Sequence, residues 1–348
     1  MRIAFFINDL EREFANYATT MLAWQARQRG HEVLYVTPND WLLDTDDSLW
    51  AHVLAVPSGK SKDHRLFFDV LKSADTKRVK MDMREVDVLM LRNDPSLDAQ
   101  DSPWAAESGI LFGREAVKRG VIVLNDPDSL GRATNKLYFQ SFPAEVRAET
   151  IITRNSDDIR SFAKKHKGQI ILKPLQGSGG SGVFKIDPEN ASNMNQMVEA
   201  ISRDGYVIAQ AYVDAAKRGD IRLFMLNGEP LCIDKQHCAL RREQAKGDIR
   251  SNIHAGGTAK PVKITDVEVR VAQIIRPKLI ADGMFLVGID IVGDKILEVN
   301  VFSPGNLVSC SEMAGVDFSE PIIEAIERKV EIKGNYAHEF TNRILAVI

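Results

Sequence analysis

The sequence predicts an α/β N-terminal domain with an open, mostly parallel sheet, followed by two α+β subdomains. Three stretches carry that prediction. Residues 2–36 alternate strand, helix and strand; residues 169–186, QIILKPLQGSGGSGVFKI, read as strand, glycine loop and strand; residues 288–301, GIDIVGDKILEVNV, read as a hairpin of two apolar strands. A chain of 348 residues also exceeds what one core usually holds. The boundaries expected are 1–124, 125–210 and 211–348.

Taken in order, Arg2 to Ile7 is nearly all apolar, as a strand buried on both faces should be. Phe14, Tyr17, Ala18, Met21, Leu22 and Gln25 follow helical spacing up to Gly30, a natural C-cap, and HEVLYVTP is the next strand. Residues 39 to 85 are polar and irregular, with one helix from Arg65 to Ala74. Val86 to Leu91 is a further buried strand, and a helix from about Gly109 to Arg119 leads into VIVLN. Ligands of such sheets gather at the carboxyl ends of the strands, where Asn8, Asp9, Arg92 and Asp94 fall. Asn8 and Asp9 read equally well as turn formers. A guanidinium at a strand end suits a carboxylate ligand, which marks Arg92. Beyond this domain the pattern gives a helix from Ser129 to about Ser141, a strand near Thr150, helices at 156–166 and 191–202, and a strand at 206–211. A hairpin of Ile221–Leu226 and Pro230–Gln236 turns at Asn227-Gly228. The polar loop 241–257 and helix 265–281 precede the second hairpin, helix 320–330 follows it, and residues 333–348 form an extra helix.

The glycine run Gly177, Gly179, Gly180 and Gly182 lets a backbone approach a ligand closely with its N–H groups facing an anion. A floppy hairpin tip would look the same, were it not for Lys173. A lysine ending an apolar strand sits where a cation is costly unless an anion meets it, and phosphate would serve. The lysine precedes the glycines and the loop joins two strands, so this is neither a P-loop nor a dinucleotide fingerprint. In the second hairpin, Glu298 and Asn300 are two apart and share one strand face, and the tight turn brings Asp290 to the same end. Two carboxylates and an amide in an apolar hairpin suit a divalent cation, and oxygen ligands select Mg²⁺. The competing reading is a solvent-facing hairpin with its polar residues outward.

Composition narrows the class. A net charge of −3 argues against a nucleic-acid binder working by bulk electrostatics, and no run of about 18 apolar residues spans a membrane. Cys232, Cys238 and Cys310 lack metal-ligand spacing and read as reduced thiols in a cytoplasmic protein. The N-terminus carries no signal-peptide pattern.

In this order, NK at 136, ILKP at 170–174 with the glycine loop, AQAY at 209–212, GDIR at 219–222, the arginine loop, GID and LEVN, the sequence resembles the ATP-grasp superfamily, and within it bacterial glutathione synthetases. LRNDPSLD and NDPDSLGRATNKLY extend the similarity over nearly the whole chain. The resemblance implies two ATP-grasp subdomains enclosing ATP behind the N-terminal domain, with Lys136 and Lys173 on the phosphates and Gln176, Gly177, Ser178, Gly179 and Gly180 within a lid running to Gly182. Gln210, Tyr212 and Val213 would line the adenine pocket and Asp220 would lie near the ribose. Arg222, Arg242 and Arg250 would act on the phosphoryl group and acyl substrate. Asn8, Arg92, Asp94, Arg250, Ser303 and Gly305 would bind substrate. Asp290, Glu298 and Asn300 would ligate magnesium, two ions in all, with Mn²⁺ an alternative. Tyr212 also reads as a core residue and Arg242 as a solvated loop charge. The implied activity is ligation of a carboxylate to an amine through an acyl phosphate, on small amino-acid or peptide substrates, in a homo-oligomer. Departures fall at Gln176, where the family has Asp, at Asn8-Asp9, where it has Asp-Pro, and at Phe302-Ser303-Pro304-Gly305, where it has Thr-Ser-Pro-Thr. The arginine loop and the Ser-Pro-Gly resemble RimK-type ligases, which leaves a RimK-like amino-acid ligase and a non-catalytic ATP-binding regulator as alternatives.

Overall fold

The computed structural model describes residues 1–176, 182–189, 191–203, 205–244, 257–336 and 339–348. Strands β1 (Arg2–Phe6), β2 (Glu32–Val36), β3 (Trp41–Leu43), β4 (Leu49–Ala55), β5 (Lys77–Asp82), β6 (Val88–Leu91) and β7 (Ile122–Leu124) make one seven-stranded sheet. Its centre, β2-β1-β6-β7, is parallel. Helices α1 (Ala18–Gln28), α2 (His64–Lys72), α3 (Pro95–Asp101) and α4 (Ser108–Lys118) belong to the same unit. Between residues 39 and 85, where the sequence looked irregular, β4 pairs antiparallel with β2, β3 and β5. The pattern misled because β5 is an edge strand whose Lys77, Arg78 and Lys80 are exposed, as edges that resist pairing with other chains are. Helix α1 starts at Ala18, four residues later than Phe14, which stays half exposed outside it.

A second sheet, order β10-β9-β11-β8, joins β8 (Thr150–Thr153), β9 (Ile170–Pro174), β10 (Phe184–Ile186) and β11 (Val207–Ala211), backed by α6 (Ser156–Lys165) and α7 (Met194–Ser202). The helix expected over 129–141 breaks: α5 (Pro127–Arg132) is followed by a 3-10 segment, Lys136–Ser141, because Asn135 turns its side chain onto the Leu137 N–H at 3.0 Å. The third sheet runs β17-β16-β12-β18-β19, with β12 (Asp220–Leu226), β13 (Glu229–Pro230) pairing β12, β16 (Ala239–Glu243), β17 (Thr258–Lys260), β18 (Leu286–Val292) and β19 (Lys295–Asn300); β14 (Cys232–Ile233) and β15 (Gln236–His237) form a small hairpin of their own. Asn227 and Gly228 turn with φ of 51° and 80°, as their pairing predicted. The strand expected over 230–236 is split by a second such turn at Asp234 and Lys235, both at positive φ.

Helix α8 (Asp266–Ala281) covers this sheet, and α9 (Leu307–Ala314), α10 (Ser319–Asn335) and α11 (Asn342–Leu345) complete the chain. The sequence did not mark α9, and α10 outruns its expected end by five residues. The last helices return to the first domain. Arg29, just after α1, pairs with Glu327 of α10 at 2.7 Å, and Asn342 extends the edge of β7 by accepting from the Val123 N–H and donating to its carbonyl. Asn125, at the carboxyl end of β7, grips Leu286 and Val301 with three hydrogen bonds, which sets the ends of the first sheet against the β18–β19 hairpin. Among the described residues no helix is long and apolar enough to cross a membrane.

Gly219, preceding β12, has φ of +79°, and a Cβ there would lie 1.9 Å from the Arg242 carbonyl oxygen. Gly219→Ala is therefore expected to lower the unfolding free energy by about 2–4 kcal/mol, read as a fall in denaturation midpoint, through backbone strain and displacement of β16.

Candidate active site

Strand alternation decides which side chains meet. In β9, Ile170 and Leu172 enter the core of the second sheet while Ile171 and Lys173 face outward; in β11, Val207 and Ala209 do the former, and Ile208 and Gln210 the latter. Opposite them, the register of the third sheet pairs Asp220 with Arg242, Arg222 with Asp290, Asp290 with Glu298, and Gly288 with Asn300. These residues line up across four adjacent strands, and a cleft of about 340 Å³ lies between the two sheets.

Lys136, Lys173, Gln176, Gln210, Tyr212 and Val213 line one side of this cleft, and Asp220, Arg242, Asp290, Glu298 and Asn300 the other. Asp94 and Ser303 border it as well. Arg222, Asn8, Arg92 and Gly305 do not line it. Asn8 is committed to a neighbour: its amide donates to the Asp94 carbonyl at 2.9 Å and accepts from the Asp94 N–H at 2.8 Å, while the Asp94 carboxylate caps α3 through Ser96. Gly177, Ser178, Gly179, Gly180 and Arg250 lie outside the described residues. The sequence reading passed over the apolar walls, Phe139, Ile171, Leu175, Ile208 and Leu297. Only the outward phase of β9 and β11 could have revealed the strand members.

The charges are unevenly balanced. Lys173 donates to the Gln210 Oε1 at 3.1 Å and sits 5.9 Å from the centre of the Phe139 ring. Desolvation lowers its pKa to about 8; nearby Lys136 pushes the same way and Glu298 opposes. Lys136 is lowered too, mainly by desolvation, against the pull of Glu298 and Asp94. Glu298 is raised, first by desolvation and then by repulsion from Asp290, with Lys136, Arg222 and Lys173 opposing. Each sign of charge is thus held where its ionised form is costly.

Asp290 stands differently from the expectation that it would be a third metal ligand beside Glu298 and Asn300. Arg222 clasps both its oxygens, through Nε on Oδ1 and at 2.9 Å on Oδ2; Arg242 reaches Oδ2 at 2.7 Å, and the Asn300 amide nitrogen donates to the same Oδ2 at 3.3 Å. Although burial pushes its pKa up, Arg222 and Arg242 outweigh this and hold Asp290 below the usual carboxylate value. Arg242 also binds Asp220 at 2.6 and 2.9 Å, and these carboxylates hold its pKa above the ordinary value despite burial. It is a buried member of the network, not a solvated loop charge.

Among the described residues no three His, Cys, Asp or Glu side chains come together as a metal cluster. The donor set nevertheless fits Mg²⁺, which uses one or two carboxylates and leaves its other positions to water and phosphate oxygens. The Glu298 carboxylate makes no hydrogen bond or ion pair among the described residues, and Asn300 presents an amide oxygen beside it.

The same organisation recurs among known proteins. The family model for the prokaryotic glutathione synthetase N-terminal domain matches residues 1–131, and that for the prokaryotic glutathione synthetase ATP-grasp domain matches residues 135–315. The chain is 32% identical over 310 residues to the glutathione synthetase of Vibrio parahaemolyticus, covering 88% of this chain and 91% of that protein. It is 32% identical over 314 residues to that of Brucella melitensis, covering 89% and 93%. Among solved structures, D-cycloserine synthetase DcsG superposes with a TM-score of 0.63 at 14% identity, covering 93% of this chain and 99% of that one. A RimK domain ATP-grasp protein from Sphaerobacter thermophilus gives 0.56 at 16% identity, covering 93% and 98%. Matches at such identities speak to the fold, which is that of the ATP-grasp ligases. The chain belongs to the prokaryotic glutathione synthetase family of ATP-dependent, peptide-forming ligases.

Proposed function

We propose that this protein joins the carboxylate of γ-glutamylcysteine to the amine of glycine at the expense of ATP. The observation that carries the reading is that Lys136 and Lys173 face Glu298 and Asn300 in a single cleft, two cations opposite a carboxylate and an amide, as a triphosphate with its cation requires. Tyr212 and Val213 form the wall assigned to adenine, and Asp220 the position beside the ribose. Glu298 and Asn300 would hold Mg²⁺, with Asp290 behind them; bound there, the ion would neutralise charge on the transferred phosphoryl group.

A substrate carboxylate oxygen attacks the γ-phosphorus and ADP leaves. The amine then attacks the acyl carbon, loses its proton, and inorganic phosphate departs. The chain supplies positioning and electrostatics. Lys136 and Lys173 hold phosphate oxygens, and Arg242, anchored by Asp220 and Asp290, keeps a fixed positive field on the cleft wall. The walls of Ile171, Ile208 and Leu297 exclude water that would hydrolyse the acyl phosphate. Division at 1–124, 125–210 and 211–348, a cytoplasmic location and a homo-oligomeric state complete the proposal on the strength of kinship.

Phe302 favours a second reading. It lines the cleft next to Ser303, at a departure from the family sequence, so another amine acceptor is the alternative. Phosphate release measured with γ-glutamylcysteine and a panel of amines decides. Turnover is expected with glycine; turnover only with other acyl donors or amines removes the glutathione assignment and leaves the ligase.

A further inference from the structure

Behind the cleft wall, a chain of three side chains ends on Lys173. The register of the second sheet builds it. Gln210 of β11 lies directly opposite Thr150 of β8, and Lys173 of β9 lies opposite Ile208, two residues from Gln210 on the same face. Among the described residues the Lys173 ammonium forms no ion pair, and its hydrogen-bond acceptor is the Gln210 Oε1 at 3.1 Å. Gln210 is 4% exposed, and its Nε2 donates to the Thr150 hydroxyl at 3.2 Å. Thr150 in turn donates to the Ala148 carbonyl at 2.9 Å, and it does not line the cleft.

The far end of this chain fixes its polarity. A hydroxyl has a single hydrogen, and Thr150 gives it to Ala148, so toward Gln210 it can only accept. The amide therefore turns its NH₂ to Thr150, and its carbonyl is left facing Lys173. Turned over, it would set two N–H donors against an ammonium that accepts nothing, and an oxygen against a hydroxyl with no hydrogen to spare. The last torsion of a glutamine is broad and holds no orientation by itself, so the hydroxyl is what selects one. The Gln210 amide is thus committed within the wall, and not to the edge of a base, the part that the resemblance implied for it beside Tyr212 and Val213.

We infer that Thr150 and Gln210 are positioning residues for Lys173: the Thr150 hydroxyl orients the Gln210 amide, whose oxygen holds the ammonium on the cleft face of β9 before the nucleotide arrives. This rests on the ligase reading above, in which Lys173 meets a phosphate oxygen. A lysine side chain has several rotatable bonds, and one already held in place loses less freedom when the ligand binds. The gain falls on the phosphates of the nucleotide and not on its adenosine part.

The test is Thr150→Val, which keeps a branched side chain suited to a strand and removes only the hydroxyl. It is expected to raise KM for ATP, and the Kd of a nonhydrolysable ATP analogue with Mg²⁺ in calorimetry, about 5- to 20-fold. The kcat should stay within about threefold of wild type, because the interaction lost is common to ground and transition states. Inhibition by adenosine, which carries no phosphate, should be unchanged, and Thr150→Ser, which retains the hydroxyl, should restore wild-type values. On a Lys173→Met background, Thr150→Val should lower the analogue's affinity no further, because the residue it acts through is gone. The inference is overturned, with the ligase reading intact, by an unchanged KM in Thr150→Val, by adenosine and ATP weakening equally, by failure of Thr150→Ser to restore binding, or by an effect of Thr150→Val that persists without Lys173. Wild-type protein that binds the ATP analogue no more tightly than adenosine instead removes Lys173 from the phosphates and sinks both.

Discussion

Glu298→Gln is expected to lower ATP-dependent phosphate release at least about 10³-fold while leaving the ligand-free protein as stable as before, or more stable. Carboxylate and amide are nearly the same shape, so the cleft walls keep their packing. What changes is charge. Ionised Glu298 is disfavoured by desolvation and by Asp290, and in the ligand-free protein Lys136, Arg222 and Lys173 only partly offset that. A neutral amide removes the repulsion, which is why the melting temperature should hold or rise. With nucleotide and cation present, the same substitution removes the carboxylate of β19 on the cleft wall, which no arginine holds among the described residues, and with it the principal anionic ligand for the ion. Mn²⁺ affinity, read by its paramagnetic signal in the presence of a nonhydrolysable ATP analogue, should fall in parallel. A variant that loses melting temperature and activity together would show that Glu298 holds the hairpin, and normal turnover would remove the cleft from the reaction.

Much of this arrangement could be read from residue order, and the rest could not, for reasons of distance along the chain. Lys173 at the end of an apolar strand and Glu298 two residues from Asn300 are local patterns, and alternation alone fixes which face they share. The Arg222–Asp290 clasp joins positions 68 apart and exists only because β12 pairs antiparallel with β18 in one register, with Gly288 leaving room for the arginine stem: a Cβ there would meet the Arg222 Cδ at 3.1 Å. No local spacing encodes that register. The burial of Glu13 was invisible for a similar reason. In sequence it is one of several charges in DLEREF, and only the packing of α1 against β1 and β2 buries it. The antiparallel half of the first sheet was hidden by the basic face of β5, whose charges protect an edge and erase the apolar alternation that would have announced a strand.

Arg242→Met should cost about 3–5 kcal/mol of stability at neutral pH, the usual result of removing one partner from a buried ion-pair network. The guanidinium touches Asp220 and Asp290, all three are nearly inaccessible, and a thioether of similar length fills the space without the charge. The pH dependence identifies the cause. Asp290 has its pKa held below the ordinary 3.8 because Arg222 and Arg242 outweigh its desolvation, so its contribution to stability is present above that value and is lost as pH falls through the lower folded-state pKa. Removing Arg242 weakens that contribution, so the gap between variant and wild type should be widest near pH 7 and narrow below about pH 4. A gap constant across that range would mean the loss is one of packing and that the network does not hold the sheet. Phosphate release should fall as well, and adding Asp220→Asn to Arg242→Met separates the two roles. The double variant has one buried negative charge fewer and should regain part of the lost stability, yet it still lacks the positive field on the cleft wall and should remain inactive. Recovery of activity with stability would assign Arg242 to the scaffold alone.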